Sequence, residues 1–246
     1  MIRGLVRRLL RRAGYDLVRY PPPDFSAEDL ALIREVGPYT LTTPERLFAL
    51  IRATEHVVGH AVAGDVVECG VWRGGSVMAV ARTLLRLGDQ SRHLHLFDTF
   101  EGMPPPSDAD VHFAGQTAAG MLAGRPRTTE DGTWAYAPLE AVRAAVSSVG
   151  YDVGKIHFVP GKVEDTIPGQ APERIALLRL DTDWYESTRH ELVHLLPRLV
   201  SGGVLIIDDY GHWLGARKAV DEYFGGHGVD ILLARVDYSA RIGVKR

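Results

Sequence analysis

The apolar residues of this chain fall into short continuous runs, and two of these runs stop abruptly at acids. Ile175–Leu180 and 204–207 have the length and composition of strands buried on both faces of a parallel sheet. Between them, residues 187–199 carry leucines at helical spacing, which predicts a strand–helix–strand crossover with both strands parallel. The acids that follow the two runs are Asp181, Asp183, Asp208 and Asp209. We therefore expect them at one carboxyl edge of the sheet, where open α/β sheets bind their ligands.

Four carboxylates at one edge either raise one another's pKa or share a cation. A hard divalent ion with oxygen ligands, Mg²⁺, satisfies them most simply. The alternative for any single acid is structural, with Asp181 capping the next helix and Asp208 or Asp209 ending its strand. Two acidic pairs separated by one crossover favour the metal site.

The remaining periodicity predicts further strands and helices around this unit. Strands are predicted at 66–69, 93–97, 155–159, 229–236 and 240–244, and helices at 26–36, 44–60, 77–87, 138–149 and up to 224. Because the connection at 237–239 is too short for a crossover, the last strand is expected to be antiparallel. The predicted fold is a Rossmann-like α/β sheet, mostly parallel, with helices on both faces. Residues 1–62 are predicted to form an N-terminal helical cap region and residues 63–246 the main domain.

Residues 101–137 interrupt the alternation with a long stretch rich in Gly, Pro and Thr. A loop of this length inside a compact domain is usually a lid or a binding loop. Its larger apolar side chains would line a pocket when such a lid closes, and these are Met103, Phe113, Met121, Trp134 and Tyr136. A disordered segment is the alternative interpretation.

The turn after the first predicted strand runs G-x-x-x-G-G-S from Gly70 to Ser76, with Glu68 two residues before it. Glycines allow a ligand to approach the backbone closely. The N-terminus of the next helix and Ser76 offer donors to a carboxylate, whereas Glu68 offers an acceptor to an ammonium group. A ligand with both groups is an amino acid rather than a pyrophosphate.

Asp98 ends the second predicted strand. An acid at this position is suited to hydrogen-bond a ribose hydroxyl. The alternative is a turn or cap aspartate followed by Thr99.

Composition excludes several classes of protein. The chain has 246 residues, 46% of them hydrophobic and 24% charged, which suits one large α/β domain. Its net charge of −3 gives no indication of nucleic-acid binding. The single cysteine, Cys69, excludes a disulfide framework and is expected to be a buried small hydrophobe. No apolar run approaches the length of a membrane span.

The first twenty residues are basic and amphipathic, with arginines throughout the apolar stretch, unlike a signal peptide. Such a segment can contact an anionic membrane surface. The favoured interpretation is a helix packed on its own domain or on a second subunit.

With these motifs in view, the chain resembles class I S-adenosylmethionine-dependent methyltransferases. Within them it is most similar to the macrocin O-methyltransferase family, whose members methylate sugar hydroxyls on antibiotic glycosides and use Mg²⁺. The matching blocks are VVECGVWRGGSV at 66–77, LFDTFEGMP at 96–104, LLRLDTDWYEST at 177–188 and GGVLIIDDYGHW at 202–213, preceded by PYTLTTPERL. The basic N-terminal segment and the interior of the 104–137 loop match less informatively, and the acceptor is expected to be selected in that loop.

The resemblance implies a role for each matched residue. Asp181, Asp208 and Asp209 match the metal ligands, and Asp183 matches the general base. The cofactor contacts implied are Glu68, Gly70 and Ser76 at the methionine part of S-adenosylmethionine, Asp98 at its ribose, and Thr40 and Asp165 elsewhere. His212 is an alternative base, although a packed or solvated loop histidine is the favoured interpretation for it.

The function implied is that of a cytoplasmic, Mg²⁺-dependent O-methyltransferase. Its expected acceptor is a hydroxyl of a deoxysugar on a natural-product glycoside, with a catechol, a phenol or a glycolipid sugar as alternatives. Related catechol O-methyltransferases use a lysine just after the first metal aspartate. This chain has Thr182, Asp183 and Trp184 there, which favours the sugar branch.

Two other classes of protein share this kind of sheet. An NAD-dependent oxidoreductase or epimerase is disfavoured because the chain lacks G-x-G-x-x-G and a Tyr-x-x-x-Lys pair. A non-catalytic scaffold has no reason to hold four edge carboxylates. The expected partners are a small-molecule glycoside and further copies of the chain, with a dimer through the N-terminal helix plausible, and not nucleic acid.

Overall fold

The computed structural model describes residues 2–15 and 20–246, and within them seven strands form one sheet. The strands are β1 Asp65–Cys69, β2 Leu94–Asp98, β3 Ile156–Pro160, β4 Ile175–Leu180, β5 Leu199–Ile207, β6 Ala234–Arg235 and β7 Arg241–Val244. Their order across the sheet is β3-β2-β1-β4-β5-β7-β6. Neighbours among β1–β5 pair in parallel, whereas β7 is antiparallel to both β5 and β6. The prediction of a mostly parallel sheet with an antiparallel last strand is confirmed.

Helices cover both faces of the sheet. They are α1 Ile2–Arg12, α2 Ala27–Val36, α3 Pro44–Gly59, α4 Gly75–Arg86, α5 Ala118–Leu122, α6 Leu139–Ser147, α7 Val163–Thr166, α8 Tyr185–Leu195 and α9 Leu214–His227. Short 3₁₀ turns lie at Gly37–Tyr39, Gly132–Trp134, Val153–Lys155 and Leu196–Arg198. The predicted start of α3 is correct, because Thr43 caps it by accepting a hydrogen bond from Arg46 N–H and Pro44 occupies its first position.

Two hydrophobic layers sandwich the sheet because successive strand residues face opposite sides. Leu177 of β4 packs in the layer formed with α2, α3, α4 and α6, and Leu178 packs in the layer formed with α8 and α9. The cap helices α2 and α3 contribute Ile33, Val36 and Ile51 to the first layer. The predicted cap region and the main domain therefore share one continuous core.

Residues 229–233 do not form part of the strand predicted at 229–236. The strand in this region, β6, is limited to Ala234–Arg235. Gly243 of β7 explains the difference. A Cβ built there would lie 2.4 Å from Ile231 Cγ2 and 2.8 Å from the Leu232 carbonyl oxygen. The segment therefore passes over β7 at this glycine, burying Ile231 and leaving Leu232 exposed, instead of pairing beside it.

The predicted lid, 101–137, is ordered around its own small hydrophobic cluster. Ala118 and Leu122 of α5 pack there against Trp184 and Trp213 from the main domain. Asp110 anchors the lid, because its Oδ1 accepts from Tyr185 N–H at 2.7 Å, at the first position of α8. Its Oδ2 accepts from the Ser107 N–H at 2.7 Å and the Ser107 hydroxyl at 2.8 Å. These contacts are compatible with the lid interpretation, which stays a prediction.

The N-terminal helix α1 exposes two of its large apolar side chains to solvent. Val6 is 40% exposed and Leu9 57% exposed. No helix within residues 2–15 and 20–246 is both long and apolar enough to cross a membrane.

Candidate active site

A cavity of about 340 Å³ opens at the carboxyl ends of the central strands. Its walls come from the cap segment 40–43, the turn after β1, and the loop 161–164 after β3. Its floor consists of Arg179 and the acids that follow β4 and β5. The site thus lies at the edge that the sequence predicts for it.

Gly70 brings the turn after β1 against the acidic loop after β4. Its φ is +84°, and a Cβ there would lie only 1.9 Å from the Asp181 carbonyl oxygen. Any side chain would separate the two loops, so glycine is required at this position. The close approach joins the predicted cofactor turn to the predicted metal site.

Asp98 holds the same turn from the end of β2. Its Oδ2 accepts hydrogen bonds from Val71 N–H at 2.6 Å and Trp72 N–H at 2.9 Å, and its Oδ1 accepts from Phe100 N–H at 2.7 Å. Burial raises the pKa of Asp98, and these backbone donors oppose the rise. The two interpretations of Asp98, as a ribose contact and as a turn aspartate, are therefore compatible. Its carboxylate organises the turn, and Asp98 also lines the cavity.

Gly70, Ser76, Asp98 and Thr40 all line the cavity, and their contacts with a cofactor stay a prediction. Two other predicted contacts differ from that expectation. Glu68 is buried behind the wall, where its Oε1 accepts from Arg179 at 2.7 Å instead of facing the cavity as a free acceptor. Asp165 is exposed and lies outside the lining, to which its neighbour Glu164 contributes. In the short helix α7 the acid that reaches the cavity is therefore Glu164, one residue before the predicted Asp165.

The strand-end acids meet as predicted. Asp181, Asp208 and Asp209 each offer a carboxylate oxygen, and these oxygens lie within 4.8 Å of one another. Asp183 also lines the cavity beside them. Among the described residues this is the one such cluster of potential metal ligands.

Arg179 lies under this cluster and is a residue that the sequence analysis missed. It is the second-last residue of β4, lies directly opposite Glu68 of β1, and is only 3% exposed. Its Nη2 donates to Asp208 Oδ1 at 2.9 Å and forms an ion pair with Asp181 Oδ2 at 2.6 Å. The same nitrogen donates to the Thr42 hydroxyl at 2.9 Å. The Arg179 guanidinium therefore links the cap segment at Thr42, Glu68 of β1, and the acids that follow β4 and β5.

A second arginine, Arg46 of α3, pairs with Asp208 from the other side. Its Nε donates to Asp237 Oδ2 at 2.7 Å, in the hairpin between β6 and β7. The sequence contains only a partial signal for each arginine. Arg179 interrupts the apolar run 175–180, and Arg46 follows Thr43, the predicted helix cap, by three residues.

The two arginines offset only part of the negative charge at the site. Burial raises the pKa of Asp181 and Asp209 well above the usual aspartate range, and neighbouring carboxylates raise them further. Burial together with the charge of Asp181 raises the pKa of Asp183 to about 8. The three carboxylate oxygens and this uncompensated charge fit a hard divalent cation.

Asp183 has an unusual backbone, with φ at +68°. Its N–H donates to Asp209 Oδ2 at 3.2 Å, and its Oδ1 accepts from the Trp213 indole N–H at 2.7 Å. Non-glycine residues in the left-handed region cluster at functional sites, where the surrounding structure holds them.

The mouth of the cavity is aromatic. His212 and Tyr238 line it, and His212 Nδ1 lies 3.0 Å from the Tyr238 hydroxyl. Burial, followed by the charges of His112 and Arg46, lowers the pKa of His212 to about 4. His212 is thus a partly packed loop histidine and a weak base, in line with the favoured interpretation.

Comparison with solved structures identifies the class of enzyme to which this fold belongs. The structure of the O-methyltransferase NovP matches with a TM-score of 0.71 and 27% identity, covering 99% of this chain and 98% of that one. The calicheamicin methyltransferase CalS11 matches with a TM-score of 0.64, covering 96% of each chain; at 19% identity it shows the fold alone. The fold is that of a class I S-adenosylmethionine-dependent O-methyltransferase.

The sequence comparisons narrow the class to a family. The model of the macrocin O-methyltransferase (TylF) family matches residues 34–242. A tetracenomycin rhamnosyl 4'-O-methyltransferase of Streptomyces olivaceus is 38% identical over 199 residues, covering 81% of this chain and 72% of its relative. Mycinamicin III 3''-O-methyltransferase of Micromonospora griseorubida is 34% identical over 206 residues, covering 81% and 75%. The chain belongs to the macrocin O-methyltransferase family, and the oxidoreductase and scaffold alternatives are not retained.

Proposed function

We propose that this enzyme transfers a methyl group from S-adenosylmethionine to a hydroxyl of a deoxysugar on a natural-product glycoside, with Mg²⁺ at the acidic site. The observation that carries the proposal is the convergence of Asp181, Asp208 and Asp209 within 4.8 Å, in the cavity that contains the glycine-rich turn. Relatives named for methylating a rhamnosyl tetracenomycin and mycinamicin III support a glycoside acceptor.

The cofactor would lie along the turn after β1. Gly70 and Ser76 would hold its methionine part, and Asp98 would accept hydrogen bonds from its ribose hydroxyls. Glu68 acts indirectly, because its partner Arg179 forms part of the cavity floor. We expect micromolar binding of S-adenosylhomocysteine in a calorimetric titration, and its loss in Asp98→Ala, because that variant removes the acceptor for the turn's Val71 and Trp72 N–H groups.

Asp181, Asp208 and Asp209 would hold Mg²⁺. When bound, the ion would lower the pKa of the acceptor hydroxyl and fix its oxygen near the methyl group. Arg179 and Arg46 keep Asp208 oriented from two sides, which prepares one ligand before the ion binds.

Asp183 is the proposed general base. Methyl transfer forms a C–O bond and breaks the methyl–sulfur bond, so the acceptor hydroxyl must lose its proton. The carboxyl of Asp183 faces the cavity beside the three proposed ligands and is not itself among them.

The test is methyl transfer from labelled S-adenosylmethionine to diol-bearing deoxysugar glycosides, with Mg²⁺ or EDTA. Asp183→Asn should retain S-adenosylhomocysteine binding while its turnover falls by about 10²-fold or more. Asp208→Ala should lose activity at every Mg²⁺ concentration. The matched control is Asp230→Asn, an exposed acid between α9 and β6, which should behave as the unmodified enzyme.

Two results would contradict the proposal. Full activity of Asp183→Asn would remove the base assignment, and an active, EDTA-sensitive Asp208→Ala would mean that the metal lies elsewhere. A catechol panel assayed in parallel separates the acceptor classes, because preferential methylation of catechols would replace the sugar by a phenolic acceptor.

A further inference from the structure

The side chain of Asp183 is held by one tryptophan. Trp213, at the start of α9, donates its indole N–H to Asp183 Oδ1 at 2.7 Å. Trp213 is 6% exposed and lies outside the cavity lining, so it reaches the reacting groups only through Asp183. Asp183 itself lines the cavity.

Trp213 is itself fixed from several directions. Its backbone N–H donates to the Asp209 carbonyl at 3.0 Å, and its ring packs edge-on against Trp184 with centroids 5.0 Å apart. The residues on either side bond to the lid. Phe113 N–H donates to the His212 carbonyl at 3.0 Å, and Leu214 N–H donates to the Val111 carbonyl at 2.8 Å. The indole therefore cannot readily follow a rotating carboxylate, and the base of the lid determines where it lies.

We propose that Trp213 is a positioning residue that fixes the proposed base Asp183, and that the lid segment 111–113 acts on the chemistry through it. The inference rests on the proposed function of Asp183. Rotation about the carboxylate bond would otherwise exchange the two oxygens and change their distance to the acceptor hydroxyl. The strained backbone of Asp183, with φ at +68°, gives the side chain one anchored end, and the indole supplies the other. Loss of such positioning costs rate rather than binding.

The test compares two identical substitutions in one aromatic cluster. Trp213→Phe removes the donor to Asp183 and keeps an aromatic ring against Trp184. Trp184→Phe is the matched control, because Trp184 is also buried and its indole N–H donates to the Pro104 carbonyl at 2.9 Å and not to Asp183. We expect Trp213→Phe to lower kcat about tenfold or more, with KM for the acceptor and S-adenosylhomocysteine binding within about twofold of the unmodified enzyme. Trp184→Phe should keep kcat within about twofold.

A double-mutant cycle separates this inference from the function on which it rests. In the Asp183→Asn background, Trp213→Phe should cause little further loss of kcat, because the residue it positions is already disabled. An equal fold-loss in both backgrounds would overturn the positioning role. So would equal losses in the two tryptophan variants, or a loss of S-adenosylhomocysteine binding in Trp213→Phe. Full activity of Asp183→Asn alone would instead refute the base assignment.

Discussion

At the scale of single residues, the sequence predicts that the acids lie at the site but does not predict that the arginines do. Asp181 and Asp208 were predictable because each directly follows a buried strand, and parallel strands bring such ends together. Arg179 was missed because a charged residue inside an apolar run is read as part of a strand pattern. Only the register that sets it opposite Glu68 reveals that the pair is buried. Sequence patterns predict faces of elements, whereas register between strands is a tertiary property.

The first prediction concerns Arg179. Arg179→Met leaves the buried Glu68 without its partner and Asp208 with Arg46 alone, and breaking a buried ion-pair network by removing one member costs about 3–5 kcal/mol. Chemical denaturation at pH 7 should therefore show a large loss in the free energy of unfolding. Arg143→Met, at a half-exposed arginine that faces Glu140 at 3.9 Å, should change it by less than about 0.5 kcal/mol. Equal stabilities of the two variants would mean that the buried network contributes little.

At the scale of elements, hydrophobic patterning predicted most strands and helices within a few residues. The lid was the least predictable part, since its order comes from contacts that the pattern does not contain. Trp184 and Trp213, which are distant in sequence, complete its small core. Asp110 supplies the missing cap of α8, whose own cap residue, Trp184, has no side-chain hydrogen bond to the helix. A polar residue in a loop gives no sign that it will cap a helix 75 positions later.

Asp110 contacts both the base of the lid and the first turn of α8, so its removal is expected to affect both elements. Asp110→Ala should destabilise the lid base and the first turn of α8, by about 1 kcal/mol or more, because it removes a helix cap and the bonds to Ser107. Hydrogen exchange should speed up in 107–122 and at Tyr185. Asp108→Ala, an exposed acid two residues away, is the control and should leave exchange unchanged. Faster exchange confined to the lid would show that α8 does not depend on this cap.

A second prediction at this scale concerns the histidines on two neighbouring strands. His157 of β3 stacks on His95 of β2 and lies 2.7 Å from the ring nitrogen of His93. Burial lowers the pKa of His157, and the charges of His95 and His93 lower it further, with Asp65 opposing. The folded state then binds fewer protons than the unfolded chain. Stability must fall as the pH drops below the ordinary histidine value of about 6.5.

His157→Gln removes this titration. Its free energy of unfolding should decline less between pH 7 and pH 5 than that of the unmodified protein. The comparison is His60→Gln at the exposed end of α3, which should keep the original pH slope. Parallel slopes for all three proteins would assign the acid sensitivity to other groups.

At the scale of the whole molecule, Asp208 is the point where separate parts of the chain meet. Arg46 reaches it from the cap, Arg179 from the centre of the sheet, and the Ser239 hydroxyl donates to its carbonyl from the final hairpin at 2.6 Å. The cap therefore completes both the hydrophobic core and the floor of the cavity. The predicted boundary near residue 62 marks a change in topology, and the shared core argues against independent folding on either side of it.

Two truncations test this view. Removal of residues 1–62 would expose the layer that Ile33, Val36, Leu47, Ile51 and Val57 cover, all of them at most 5% exposed. At about 1.5–3 kcal/mol for each buried side chain, the loss approaches or exceeds the total stability of a typical domain, about 5–15 kcal/mol. The 63–246 chain should therefore show no cooperative melting by circular dichroism and no binding of S-adenosylhomocysteine. Removal of residues 1–20 only is the control and should preserve both, because Val6 and Leu9 of α1 are exposed. Cooperative melting of the 63–246 chain near the full-length temperature would instead establish the main domain as an independent folding unit, with the cap added to it.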